Sequence, residues 1–463
     1  MFSELFNMMS ASVRTVLLSV LLVSLFSCKS RSPEILPVTE NLSTQEQILR
    51  CPDKAGGLMY VYDYKADPAV TPPPRGYKPF YISHYGRHGA RYATNPQYKM
   101  VDKVLRRAAE ADLLTEGGKK FFEDYSAFFT TAVFHDGELT PVGIEQERTI
   151  AGRMVSRFPE VFEGETFASA ISTPSHRVIL SMASFIDGLQ SVDKSFAVDE
   201  RYSESYSPVL RPNFSPLADG RPDKMDDVVA PYIPYFRETV DIEGILGRIF
   251  VHPKEAAERL QFDDIILLRN LIDIVCGEKC LGDGPAVFDG IFTVEDRVAI
   301  ARAGWYRLYL FLLNYKDSAS LFPAFSAYTL RDIVDKADED ISSGAVQLRL
   351  RFSHDSSVMP FIVNLNLNGF GETVSSPEEA FEQFPIWQMP MGGNFQMVFY
   401  RSTKDRDVLV KFLWNEKEAS IPIAPQEGPY YRWRDVKDYC SGIIEASLDR
   451  IAKSCSRAGS SGQ

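Results

Sequence analysis

The apolar positions fall into two textures. Phe80-Tyr81-Ile82-Ser83-His84-Tyr85 is a run of aromatic and β-branched residues that predicts a buried strand. Gly86 and Gly89 then permit a sharp turn before a helical stretch over Tyr98 to Leu114. Thr140-Pro141 pairs an N-cap residue with proline at the first helical position and predicts a helix through about Arg157. Phe167 to Ser172 reads as a short strand of small residues, followed by a helix whose Val178, Met182, Phe185, Ile186 and Leu189 share one face. From about Lys194 to Gly344 the pattern changes to helical segments broken by proline and glycine. Strand alternation then returns: Leu348, Leu350 and Phe352 interleave with Gln347, Arg349 and Arg351, and Met397 to Tyr400 and Val408 to Leu413 predict further strands before a closing helix over about Asp435 to Ala452. Strands alternating with helices imply an α/β three-layer sandwich around a largely parallel sheet. The domain reading is a core over 51–193 and 345–455 interrupted by a mostly helical cap over 194–344.

The ends read differently. Val16 to Phe26 is an almost unbroken apolar run preceded by Arg14, too short to span a membrane and typical of an export signal. Leu25-Phe26-Ser27-Cys28 resembles a bacterial lipobox, so residues 1–27 are expected to be removed and Cys28 to be lipidated, leaving 28–50 as a polar tether. Glu4 sits in a region that should be basic, which points to Met8 or Met9 as the start. The proline-rich stretch Pro68-Ala69-Val70-Thr71-Pro72-Pro73-Pro74 predicts a loop with regular structure after it, and Ala458 to Gln463 a disordered tail. The expected setting is a bacterial cell envelope, periplasmic or outer-membrane, with the membrane touched only through the lipid. In such a compartment disulfides persist. Cys276 with Cys280 and Cys440 with Cys455 are the candidate pairs among Cys51, Cys276, Cys280, Cys440 and Cys455.

Charge narrows the partners. The 463 residues carry 62 acidic against 50 basic side chains, a net charge of -12, which argues against nucleic acid or an anionic membrane surface. A phosphorylated small molecule remains compatible, because a pocket can be locally positive.

Gly86-Arg87-His88-Gly89-Ala90-Arg91 places an imidazole between two guanidinium groups at the carboxyl end of a predicted strand, where α/β sheets bind ligands. Guanidinium matches phosphate oxygens in bidentate geometry, and the start of the following helix is expected to add backbone N–H donors. A neutral imidazole there is poised to attack phosphorus. Alone, the same stretch reads equally well as a basic surface turn; Arg177 alone as a solvent-facing arginine; and His354-Asp355 alone as a turn pair.

Together these segments resemble the histidine phosphatase superfamily in its acid phosphatase and phytase branch. Arg87-His88-Gly89-Ala90-Arg91 is similar to the RHGxR signature, Leu139 to Gln146 to an LTPxGxxQ helix start, Ser172-Thr173 with Arg177 to the turn bearing a third phosphate arginine, and His354-Asp355 to the distal HD pair. The resemblance implies a phosphohistidine intermediate on His88. Arg87, Arg91, Arg177 and His354 would hold the phosphoryl oxygens, and Asp355 would protonate the leaving group and then activate water. It requires no cofactor and no metal, since arginines supply the positive charge. Met389-Pro390-Met391-Gly392-Gly393-Asn394 and Leu413-Trp414-Asn415-Glu416 are more loosely similar to the multiple inositol polyphosphate phosphatases. That group usually carries His-Ala-Glu where this chain has His354-Asp355-Ser356, and proline where Ala93 stands. A broad-specificity acid phosphatase and a non-catalytic phosphate-binding lipoprotein are therefore the rival readings. Lys99, Lys103, Arg106 and Arg107 are candidate extra cations, against the alternative of one solvated helix face.

Overall fold

The structure is a computed structural model; it describes residues 42–460 except 193–195, 220, 283–286, 289 and 405–406. Among the described residues its centre is one sheet of eight strands: β1 (Tyr77–Arg87), β2 (Phe167–Ser172), β3 (Ala197–Tyr202), β4 (Leu348–Ser353), β5 (Asn394–Ser402), β6 (Leu409–Trp414), β7 (Lys417–Ala419) and β8 (Tyr431–Arg432). The order is β3-β2-β4-β1-β5-β6-β7, with β8 also on β6. The pairings β3–β2, β2–β4 and β4–β1 are parallel, and the remainder are antiparallel.

Both faces of the sheet are covered, which is why its strands are apolar at odd and even positions alike. Tyr81, Tyr85, Phe395, Met397, Phe399, Val410 and Phe412 turn to one side and pack with helices α8 (Ala327–Ser343), α9 (Asp355–Asn364) and α10 (Trp433–Ser460). Ile82, Leu348, Leu350, Phe352, Val398 and Leu413 turn to the other, against α4 (Pro141–Arg157) and α5 (His176–Val192). The α4 start is the one expected: Thr140 caps it, accepting the Gly143 N–H at 3.2 Å, with Pro141 next.

A third apolar cluster lies off the sheet. It joins α2 (Asn95–Glu110) and α3 (Glu116–Ala132) to α6 (Asp264–Cys276), one face of α7 (Val294–Leu312) and the segments around Tyr232, Ile249 and Phe292. The helical region therefore recruits α2 and α3, which the sequence reading assigned to the core. In the opposite sense, β3 and α8 lie within 194–344 yet belong to the sheet and its cover. The reason β3 was missed is physical: Ala197-Val198-Asp199-Glu200-Arg201-Tyr202 is a charged, exposed edge strand with no apolar face to betray it.

Other expectations are corrected. Helix α1 (Thr44–Arg50) precedes the proline loop and buries Ile48 in the core, so 44–50 is not tether. A second helix, α3, follows α2, which itself ends at Glu110. Helix α10 runs to Ser460, through part of the expected tail. Among the described residues, the five cysteines from Cys51 onward are free thiols. Cys440 and Cys455 share α10, and fifteen helical residues separate them by ~22 Å, too far to bridge. The signal segment and Cys28 lie outside the described residues.

Beneath the signature, His84 is wedged between Phe185 and Phe352, at ring-centroid distances of 4.9 and 5.2 Å. Gly86 leaves the room for it: a Cβ there would stand 2.6 Å from the His84 ring. Among the described residues neither ring nitrogen has a hydrogen-bond partner, and burial, aided by the Arg351 charge, lowers its pKa to about 3. Folded His84 thus stays neutral while the unfolded chain takes up a proton below about 6.5, so stability is lost as pH falls through that range, by ~2 kcal/mol at pH 5. His84→Leu is expected to flatten the decline in unfolding free energy between pH 7 and pH 5 by that amount in denaturant titrations; an unchanged slope would show that His84 titrates normally in the fold.

Candidate active site

The site forms where three parallel strands end together. β1 pairs with β4 so that Arg87 stands opposite Ser353, and β4 pairs with β2 so that Phe352 stands opposite Ser172. The next residues of each strand, His88, His354-Asp355 and Thr173, therefore leave the sheet side by side. The His88 and His354 rings meet edge to face, 5.6 Å between centroids. Thr173 Oγ1 lies 3.2 Å from His354 Nε2, and Arg177, on the first turn of α5, brings Nη2 to 3.3 Å from His354 Nδ1. Asp355 opens α9, with one carboxylate oxygen 2.8 Å from Arg87 Nη2. The pair is close without being aligned as a hydrogen bond, because Arg87 Nη2 and Nε both lack an aligned acceptor.

The turn from β1 is held rigidly through its backbone. The His88 N–H donates to Ser353 O, Gly89 N–H to Ser181 Oγ at 3.0 Å, and Ala90 N–H to Gln146 Oε1 at 2.9 Å. These amides are committed, and α2 starts only at Asn95, under its own Thr94/Gln97 capping box. The expected contribution of the following helix's N–H groups is thus absent from this turn, and side chains supply the anion-binding donors. Met389 to Gly393 cradles the loop from below: Arg87 Nη1 donates to Met389 O and Leu58 O, Arg87 N–H to Gly393 O, Gly392 N–H to His88 O, and Gln146 Nε2 to Met391 O. The Met-Pro-Met-Gly-Gly-Asn stretch positions the signature from behind.

The electrostatics favour an anion. His88 Nδ1 lies 2.9 Å from its neighbour's carbonyl, Gly89 O, which fixes that nitrogen as the N–H and leaves Nε2 as the free lone pair. Burial, with the charges of Arg87, Arg177 and Arg91, holds the His88 pKa well below its ordinary value, so the ring is neutral. Burial first, then Arg177, lowers His354 to about 3. Arg91 spends one donor on Tyr92 O, and the Nε atoms of Arg91 and Arg177 are buried without an acceptor. Such donors are the ones a tetrahedral oxyanion can satisfy. Burial and the neighbouring Arg91 lower the Arg177 pKa to about 10, still charged at neutral pH. Burial works to raise the Asp355 carboxyl, but Arg87, Arg91 and His354 outweigh it and hold it below the usual range.

All six residues named from the sequence, Arg87, His88, Arg91, Arg177, His354 and Asp355, are gathered here. Residues whose part was not foreseen are Thr173, Ser181 and the amide of Gln146. Ser181 had a weak signal, standing one turn after Arg177 on the same helix. The additional cations do not join them: Lys99, Lys103 and Arg106 are exposed, Arg106 pairing with Asp102, and Arg107 donates to Leu260 O. That helix face is solvated. His135 stacks on Tyr92 at 4.5 Å, while His176 and His252 are exposed.

A parallel sheet end that presents a neutral histidine among arginines suits an anion, and the sequence model of the histidine phosphatase superfamily (branch 2) matches residues 86–217 of the chain. Among curated proteins it is similar to multiple inositol polyphosphate phosphatase 1 of Homo sapiens, 20% identical over 408 residues, covering 78% of this chain and 78% of that protein. The Gallus gallus protein of the same name is 22% identical over 386 residues, covering 78% and 80%. Among solved structures, Bifidobacterium longum multiple inositol polyphosphate phosphatase in complex with inositol hexasulfate gives a TM-score of 0.67 at 17% identity, over 83% of this chain and 97% of that one. The D. castellii phytase gives 0.66 at 15% identity, over 86% and 87%. At these identities the structural likeness establishes the fold.

The signature loop lies directly on the first turn of α4, where glycine is required. A Cβ on Gly143 would stand 2.3 Å from Ala90 O, whereas one on Gly152, farther along the same helix, would meet nothing within 4 Å. Gly143→Ala is expected to displace the loop and cut turnover more than tenfold together with a lower Tm. Gly152→Ala should leave turnover intact and stabilise by ~0.5–1 kcal/mol. Equal behaviour of the two variants in parallel melting and rate measurements would refute the packing argument.

Proposed function

We propose that this protein is a phosphomonoesterase that works through a phosphohistidine on His88 and acts on inositol polyphosphates, phytate included. The observation that carries the reading is the disposition of His88: its Nδ1 is engaged by Gly89 O, which leaves Nε2 as the lone pair, and the ring lies within the field of Arg91 and Arg177, whose Nε donors are uncommitted. In the first step the Nε2 lone pair forms a bond to phosphorus while the ester P–O bond breaks. Arg91, Arg177 and the outer edge of Arg87 bear the oxygens, and Asp355 delivers a proton to the departing alkoxide. In the second, water attacks the phosphohistidine, Asp355 takes its proton, and inorganic phosphate and neutral His88 are regenerated. The names of the relatives support the inositol polyphosphate class; the acid phosphatase class is the alternative that a substrate panel separates.

Asp355 starts as an anion in the free site, so its role as acid depends on what binds. A phosphate dianion offsets the same arginines that depress the carboxyl, raising its pKa as substrate enters. The resulting sign is that turnover of alkyl phosphates falls as pH rises. Asp355→Asn is expected to lower kcat on phytate by ~10²–10⁴ and to spare formation of the phosphoenzyme from a nitrophenyl ester, whose leaving group departs unprotonated. A rate still rising into the alkaline range, or equal losses on both esters in the first half-reaction, would contradict the acid assignment. His88→Ala should abolish phosphate release from both; release from the nitrophenyl ester alone by the parent protein would favour a broad acid phosphatase.

The same reading extends to location: an exported protein anchored in a bacterial envelope through Cys28. Labelled fatty acid is expected to be incorporated by the full chain and lost in Cys28→Ser, and incorporation that survives the substitution would remove the anchor proposal.

A further inference from the structure

The hydrogen bonds around His354 fix which of its nitrogens carries the proton. Arg177 Nη2 stands 3.3 Å from His354 Nδ1, and a guanidinium can only donate, so Nδ1 is the lone pair. Burial, and next the Arg177 charge, lowers the pKa of the ring to about 3, which agrees with a neutral imidazole whose single proton is on Nε2. That N–H donates to Thr173 Oγ1, 3.2 Å away. Both nitrogens of His354 are thus spent inside the protein, and in this state neither offers a hydrogen to a ligand. The family resemblance gives His354 the task of holding a phosphoryl oxygen, yet here its proton is directed to Thr173.

Thr173 is the first residue past β2, buried at the end of the parallel strands. Its backbone is committed: the N–H donates to Phe352 O, and the carbonyl accepts the Ser172 hydroxyl at 3.1 Å. Its side chain is committed only by half. A hydroxyl has one hydrogen and two lone pairs, and His354 occupies a lone pair. The hydrogen is left over, and among the described residues no protein group accepts it. A buried donor without an acceptor is costly, and one that itself receives an N–H is polarised toward donating further. Arg177, which grips the other nitrogen of the same ring, has its Nε buried in the same unsatisfied condition. Two donors in want of an acceptor thus flank one imidazole, and an oxyanion beside it would satisfy both.

We propose that Thr173 is a further phosphate-binding residue, donating its hydroxyl hydrogen to a non-bridging phosphoryl oxygen, and that His354 acts through it as a positioning residue. This rests on the phosphatase reading for the place of the phosphoryl group, but it concerns binding and is tested without turnover. Calorimetric titration of the full chain with inorganic phosphate at neutral pH measures it. Thr173→Val removes the hydroxyl at nearly constant shape and is expected to weaken phosphate about tenfold, the scale of one lost hydrogen bond to a charged group, whereas Thr173→Ser restores the hydroxyl and is expected to stay within about threefold of the parent. Nitrogen NMR of the histidine-labelled parent, which needs no variant to fold, is expected to show His354 protonated on Nε2 and bare on Nδ1 both before and after phosphate is added. Undiminished phosphate affinity in Thr173→Val overturns the proposal, and so does a Thr173→Ser variant as weak as Thr173→Val, which would show that volume and not the hydroxyl matters. A proton that moves to Nδ1 of His354 when phosphate binds also overturns it, because the imidazole would then serve the anion itself. A protein that passes these tests yet releases phosphate from no ester would lose the phosphatase reading and keep the Thr173 contact; one that turns over esters while Thr173→Val binds phosphate as the parent does would keep the reading and lose the contact.

Discussion

The register between β1 and β4 is the constraint on which the site depends. These strands come from distant parts of the chain, yet Arg87 sits level with Ser353, so His88 and His354 emerge as neighbours. A slip of one residue would turn every side chain of the strand to the opposite face. It would send His84 and Ile82 toward the layer that holds Tyr81 and Tyr85, and carry the signature away from Asp355. The register is fixed from both sides, because each face of β1 is packed by a different set of helices. The parallel half of the sheet thus does for the site what a short hairpin cannot: it brings separate segments of sequence to one height and leaves their ends open.

Once aligned, the strand ends create an electrostatic difficulty. Arg87, Arg91 and Arg177 converge on buried imidazoles, and burial, reinforced by these positive charges, depresses the pKa of Arg177 and of both histidines. What holds the arrangement is the packing behind it. Arg87 gives one nitrogen to the carbonyls of Leu58 and Met389, the loop amides are bound by Ser353, Ser181 and Gln146, and Gly392 returns a bond to His88 O. Neutral hydrogen bonds fix the frame while the charged edges are left over. Lysine could not divide its donors in this way, since carbonyls behind and an oxyanion in front require the planar fork of arginine.

The chain's local chemistry made much of this legible. Strands β1, β2 and β4 and the start of α4 follow from apolar runs, from Gly86 and Gly89, and from Thr140-Pro141, each a short-range signal. The gathering of Arg177 and His354 beside His88 is long-range, and only the resemblance of several motifs taken together pointed to it. What escaped were features set by surroundings. Edge strand β3 is polar because it is exposed; α2 and α3 left the core because their apolar faces find α6 and α7; and the thiols of Cys276 and Cys280 remain free although their spacing suits a bridge. The role of the Met-Pro-Met-Gly-Gly-Asn stretch was equally hidden, since it acts through backbone carbonyls that any sequence possesses.

The position of Asp355 ties binding to chemistry. In the free site its carboxylate is a counter-ion to Arg87, and Arg91 and His354 reinforce the anionic form. In the proposed mechanism an acid in that state is of no use to a leaving alkoxide. Substrate brings at least one negative charge into the space that these cations surround, and the field that held the proton off is cancelled by the group that needs it. The pairing with Arg87 is close but unaligned, while the other carboxylate oxygen accepts the Ser356 N–H at 2.6 Å. On this argument a proton reaches Asp355 because phosphate has arrived. In the proposed mechanism the arginines would then have two functions that cannot be separated by mutation of one alone: holding the oxyanion, and deciding when the acid is charged.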